Sequence, residues 1–216
     1  MRPLLETFKN PSEVLAVAAA QSKLAQLERM IILMAVQTIA EHAQEIGECK
    51  IFINSIPSQM LNHEDYLILE TQYAQHFKRV VFEVTEEESR NAEGLAKKIN
   101  YIRKDGIQIA LDDFGSGYSN EIRILSLLPD IIKIDMEMIQ GIHNNVDKQN
   151  LVANLVSFCH NKGVKVVAEG IETSADLVTV IEMGVDYAQG YYLGRPAFDF
   201  SAINPELQKE IRDRQK

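Results

Sequence analysis

Six short apolar runs in this chain end in a side chain able to bind a metal, move a proton or donate a hydrogen bond. The residues at or just beyond those ends are Asn54, Glu83, Asp112 with Asp113, Lys133, Glu169 and Gln189. Any one of them alone reads as a solvated strand end or a helix cap. All six in succession describe an oxygen-rich pocket with one lysine. Oxygen donors without histidine or cysteine suit a hard cation, Mg2+ or Mn2+, rather than zinc. Paired cations bridged by a carboxylate such as Asp112 would polarise a phosphodiester, lower the pKa of a water and steady the leaving oxygen of an in-line attack. A pocket this acidic needs its cations before it can accept an anionic substrate.

Periodicity predicts the elements that must position these residues. The apolar runs are Lys50–Asn54, Val80–Glu83, Ile107–Asp112, Ile131–Ile134, Val164–Ala168 and Tyr187–Ala188. Between them lie helical patterns near Asn62–Phe77, Ala92–Lys104, Ser119–Ser126, Asp147–Asn161 and Ser174–Met183. Strands alternating with helices of this length predict βαβ units and a parallel sheet. The near-continuous hydrophobicity of the strands predicts cover on both faces. Two helices precede the first strand. Asn10-Pro11-Ser12-Glu13 offers the first an N-cap, a proline at the first helical position and a capping-box glutamate, before Val14, Leu15, Val17 and Ala18. The second pattern, Lys23–Glu45, sets Leu24, Leu27, Ile31, Met34 and Ala35 on one face. Pro205 to Lys216 reads as a charged terminal helix. In a (β/α)8 barrel the strand ends converge on one face, where active sites lie. Such a barrel needs eight strands and about 250 residues, so six strands predict one that is short at its N-terminus. An open doubly wound sheet is the alternative, and no Gly-rich phosphate loop supports it. Without a linker or repeat, residues 1–216 are expected to form a single domain.

The formal charge of -9, with no basic block, argues against a nucleic-acid duplex as partner. A small phosphorylated ligand held through cations stays open. The longest apolar run, Met30 to Val36, is broken by Gln37 and is too short to cross a bilayer. No secretory signal opens the chain, and a cytoplasmic location is expected. Cys49 and Cys159 have no metal or redox spacing, and both read as reduced, buried and inert. His42, His63, His76, His143 and His160 are scattered and read as ordinary surface or helix residues.

Asp112-Asp113-Phe114-Gly115-Ser116-Gly117-Tyr118-Ser119 resembles the DDFGTGYS segment of EAL domains, the cyclic di-GMP phosphodiesterases. Joining it in order are Phe52-Ile53-Asn54-Ser55, Glu83-Val84-Thr85-Glu86, Lys133-Ile134-Asp135, Ala168-Glu169-Gly170-Ile171-Glu172-Thr173 and Gln189-Gly190-Tyr191. The resemblance runs from the first residues to about Pro196. It implies a TIM-type (β/α)8 barrel of the EAL family and assigns roles residue by residue. Asn54, Glu83, Asp112 and Asp113 would be metal ligands. Lys133 would hold the attacking water, Glu169 would act as base or complete the metal site, and Gln189 would orient water or substrate. Glu86 would anchor the loop Phe114–Ser119, which in this family couples the dimer interface to the metals, and Glu172 would support the site. Glu86 also has a plainer reading, as part of the acidic run Glu86-Glu87-Glu88.

One departure stands against these matches. Met1-Arg2-Pro3 resembles the continuation of the family's Glu-Ala-Leu motif, so the sequence is expected to start just after that triplet, without its metal-ligating glutamate and about two strands. Arg2 would match the arginine that contacts substrate phosphate. A six-strand remnant would compensate by dimerising, by opening or by recruiting its own N-terminal segment. Two functions follow from the resemblance: metal-dependent hydrolysis of cyclic di-GMP to the linear dinucleotide, or a catalytically impaired module that binds cyclic di-GMP or a protein partner. A barrel hydrolase of another phosphodiester is a third.

Overall fold

The computed structural model describes residues 10–85, 98–115, 124–125, 127–197 and 204–214. These form two compact units, one from Met1–Val84 with Glu88–Gln108 and one from Thr85–Glu87 with Ile109–Lys216.

In the first unit α1 (Pro11–Ala20) starts where the sequence places it. The Asn10 side chain accepts the Glu13 N–H at 2.9 Å and Pro11 opens the helix. The pattern expected over Lys23–Glu45 splits at His42 into α2 (Leu24–Glu41) and α3 (Ala43–Ile46). The buried stripe of α2 is Glu28, Ile32, Val36 and Ile39, not the predicted Leu24, Leu27, Ile31, Met34 and Ala35. Met34 is 44% exposed. The stripe turned because its first buried member is a charged residue, which a count of apolar positions passes over. After β1 (Ile51–Asn54), the Asn62–Phe77 pattern breaks at Tyr73 into α4 (His63–Gln72) and α5 (Ala74–Phe77). Asn62 caps α4 by accepting the Asp65 N–H at 2.8 Å. Next comes β2 (Val80–Thr85), buried along all but its last residue. Residues 98–102 are helical and lead into a 3-10 turn, Arg103–Asp105. The earlier part of the Ala92–Lys104 pattern lies outside the described residues.

β1 and β2 pair in parallel, with Asn54, the last residue of β1, opposite Glu83, two residues before the end of β2. Behind them Tyr66 packs edge-on to Phe77 (5.8 Å between ring centroids) and against Tyr101 (4.6 Å), and Phe77 packs on Phe82 (6.4 Å). Cys49 is exposed, a correction to its expected burial. It precedes β1 and gives its carbonyl to the Arg79 guanidinium, so the apolar run that follows it does not enclose it.

The second unit holds β3 (Gln108–Phe114) from Ile109 onward, β4 (Ile131–Ile134), α6 (Met136–Ile139), α7 (Val146–His160), β5 (Lys165–Ala168), α8 (Ser174–Glu182), β6 (Tyr187–Ala188) and α9 (Pro205–Arg214). β3, β4, β5 and β6 pair in parallel in that order. Of the Ser119–Ser126 pattern only residues 124–125 are described, and they are helical. Asn145 and Thr173 cap α7 and α8 through the Lys148 and Asp176 amides. Cys159 is buried, and burial followed by the nearby Asp186 charge pushes its thiol up to about 11, which keeps it protonated and unreactive. Leu207 seats α9, and Glu210 accepts from Ser174 and Tyr192. Among the described residues no helix is long and apolar enough to cross a membrane.

Candidate metal centre

Successive side chains of a regular strand point to opposite faces, so Asp112 and Asp113 could not both serve one site from an unbroken β3. The strand is broken there. Its register against β4 shifts between Leu111 and Phe114, and Asp113 takes a left-handed backbone with φ 56. Aspartate tolerates that conformation better than most residues. The Asp113 N–H donates to Asp112 Oδ1 at 3.1 Å, holding the two carboxylates at one strand end. Gly115 follows with φ 109, and a Cβ there would overlap the Met138 side chain.

On β4, Ile132 and Ile134 face one way and Lys133 the other. Lys133 is 4% exposed, and its Nζ reaches Asp112 Oδ1 at 2.8 Å and Glu169 Oε1 at 2.7 Å. Glu169 stands one residue beyond β5 because its N–H donates to the Ile134 carbonyl. Gln189 occupies the matching place beyond β6, its N–H bonded to the Ala168 carbonyl. Gly190 then passes so close to Ile171 that a Cβ would run into the Ile171 backbone, which ties the Gln189 turn to the segment after Glu169.

Carboxylate oxygens of Asp112, Asp113 and Glu169 lie within 4.8 Å of one another. That spacing and the oxygen-only donor set fit a hard divalent cation. One lysine against three carboxylates leaves this group rich in negative charge, as a cation site must be. Among the expected residues, Asp112, Asp113, Lys133 and Glu169 are thus brought together. Gln189 is exposed at an adjoining strand end. Glu172 is exposed and accepts from Gln140 Nε2 at 3.2 Å. Asn54 and Glu83 stand side by side in the first unit. Arg2 and Glu86 lie outside the described residues.

Two side-chain clusters, one in each unit, were not read from the sequence. Glu28 and Lys98 form a buried pair beneath the turn after Asn54. The signal was present, since Glu28 falls four residues after Leu24 and four before Ile32. At the opposite ends of β5 and β6, Asp186 collects His160, Lys165 and the Val166 N–H. Burial pushes the Asp186 carboxyl up, but those hydrogen bonds outweigh it and hold it below the ordinary carboxylate range.

A parallel α/β sheet with an acidic, lysine-bridged cluster near its strand ends defines the class: a barrel-type α/β protein whose carboxylate cluster fits a hard cation. The family model described as EAL domain matches residues 3–196, and the chain belongs to that family. Its fold is accordingly the TIM-type barrel of the EAL domains, and the described residues carry six of the strands. Over 190 residues the chain is 30% identical to the probable cyclic di-GMP phosphodiesterase PdeA of Escherichia coli, covering 86% of this chain and 26% of that protein. It thus spans about a quarter of the length of this curated relative. It is 30% identical over 155 residues to the blue light- and temperature-regulated antirepressor BluF of Escherichia coli, covering 69% of this chain and 38% of BluF. BlrP1 of Klebsiella pneumoniae, solved in a complex with calcium and cyclic di-GMP, superposes with a TM-score of 0.73 at 29% identity, over 88% of this chain and 49% of that one. The same protein has been solved with manganese.

Proposed function

We propose that this chain is a cyclic di-GMP phosphodiesterase domain that uses Mg2+ or Mn2+ to open the cyclic dinucleotide to the linear one. The observation that carries the reading is the cluster of Asp112, Asp113 and Glu169 with Lys133 spanning two of its carboxylates. Asn54, Glu83, Asp112 and Asp113, joined by Glu169, would hold the cations. Bound there, divalent ions would supply positive charge to the phosphodiester oxygens and ease deprotonation of water. The chain's own groups do the rest. Lys133 donates a hydrogen bond to the attacking water, and Glu169 accepts the proton that water loses. The water oxygen bonds to phosphorus as the bond to the ribose oxygen opposite breaks, and that oxygen takes up a proton from solvent. Gln189 orients water or substrate, Arg2 meets a phosphate, and Glu86 and Glu172 support the loops. In this reading residues 1–216 act as one EAL domain, as a homodimer in the cytoplasm.

A second reading is a module that binds cyclic di-GMP or a protein partner without turnover. The likeness to BluF, which is named as an antirepressor, favours it. Incubation with cyclic di-GMP and Mn2+, reading the linear product by chromatography, separates the two. Product from the native chain and none from Lys133→Ala supports hydrolysis; no product from folded native chain overturns it.

A further inference from the structure

The strand β1 ends at Asn54, so the Ser55 hydroxyl and the backbone groups of Ile56, beyond the strand, need other partners. Two buried side chains supply them. Glu28, 1% exposed on α2, accepts the Ser55 hydroxyl at 2.7 Å with Oε1 and the Ile56 N–H at 3.0 Å with Oε2. Lys98, 4% exposed, donates to Glu28 Oε1 at 2.6 Å and to the Ile56 carbonyl at 2.8 Å. The Ser55 N–H turns the other way and donates to the Glu83 carbonyl at 2.9 Å. A continuous set of bonds therefore runs from the Glu28 carboxylate, through Ser55, to Glu83 near the C-terminal end of β2. Asn54, the last residue of β1, pairs with Glu83 in register.

We infer that Glu28 and Lys98 are positioning residues for the two strand ends carrying Asn54 and Glu83, and that they set metal affinity through the Ser55 turn. Folding alone does not account for the pair, because a buried ion pair is often no better for stability than apolar residues of the same volume. Apolar residues could not hold the hydroxyl, N–H and carbonyl of the turn at once. The pair does this beside side chains whose placement a cation feels at a fraction of an ångström. The inference rests on the reading of Asn54 and Glu83 as ligands.

The test titrates the chain with Mn2+ alone, reading free Mn2+ by electron paramagnetic resonance, with the thermal transition followed in parallel. The double variant Glu28→Gln/Lys98→Met removes both charges and keeps the volume, and is expected to weaken Mn2+ binding by about tenfold, as a loosened outer partner does. Ser55→Ala removes only the hydroxyl link. It is expected to leave the thermal transition in place and to weaken binding by a few-fold, and it decides the matter if the double variant does not fold. Native Mn2+ affinity in folded Ser55→Ala, with Asn54→Ala weakened, overturns the positioning role and leaves the ligand reading intact. Native affinity in Asn54→Ala overturns the ligand reading and the inference with it.

Discussion

Two lysines in this chain are equally buried and do opposite work. Lys98 and Lys133 are each 4% exposed, and each lies within 2.8 Å of a carboxylate oxygen. Among the described residues Lys98 meets the carboxylate of Glu28, itself 1% exposed, and the pair also bonds to Ser55 and Ile56. Among the described residues one positive charge faces one negative charge there, and both carboxylate oxygens accept hydrogen bonds. Lys133 meets Asp112 and Glu169, whose side chains keep 13% and 15% of their exposure, with Asp113 close by. Charge is unbalanced there, and the carboxylates still reach water. The difference teaches how to tell a structural ion pair from a site: by the surplus of one sign and by access to solvent, since depth and distance are the same.

Matched substitutions put that contrast at risk. Lys133→Met should lower cyclic di-GMP hydrolysis by about 10²–10⁴-fold, the range for a group that handles the reacting water, and steady-state rates in Mn2+ measure it. Its cost in stability should stay below that of Lys98→Met, because the carboxylates it leaves are partly hydrated. Lys98→Met strands the Glu28 carboxylate in the core and should cost about 3–5 kcal/mol in urea unfolding. Equal losses for the two variants would break the comparison. Mn2+ at a hundredfold excess over its dissociation constant should stabilise the native chain by about 2.7 kcal/mol. Asp112→Asn should lose most of that gain, while Glu28→Asp, if folded, should keep a measurable part of it; thermal melts with and without Mn2+ decide.

The smallest effect concerns pairs whose basic partners are open to water. Asp186 and Asp176 are both held below the ordinary carboxylate range. In each, burial pushes the carboxyl up and hydrogen bonds outweigh it, from Lys165 and His160 for Asp186 and from His143 and Thr173 for Asp176. A group that loses its proton more readily when folded stabilises the fold above its unfolded pKa of about 4. That contribution is lost as pH falls through the folded value. Asp186→Asn should therefore flatten the loss of melting temperature below about pH 4 and change little at neutral pH.

Much of the site could be read before the fold was known. Lengths of apolar runs separate strands from helices, and the residue closing each run is visible as a letter. That is why Asn54, Glu83, Asp112, Lys133 and Glu169 could be placed at or near strand ends from the sequence. Asn54 closes β1 and Glu169 stands just beyond β5, while β2 and β3 run two residues past Glu83 and Asp112 and β4 one past Lys133. The caps at Asn10, Asn62, Asn145 and Thr173 are equally local, because side chain and amide are three residues apart. Other features were not local. Cys49 borders an apolar run and is exposed. The face of α2 turned about a charged residue whose partners, Ser55 and Lys98, lie 27 and 70 positions away.

The sequence by itself determined the alternation of strands and helices, the acidic and lysine residues at the strand ends, and the family. These depend on hydrophobic period and residue type, which act over a few positions. Tertiary structure alone decided that Asp112 and Asp113 share one side, through a register shift and the left-handed turn at Asp113. It also decided that, among the described residues, one buried lysine meets one carboxylate while the other stands among several. Each of those outcomes is set by which distant groups arrive within hydrogen-bonding reach, and only packing brings them there.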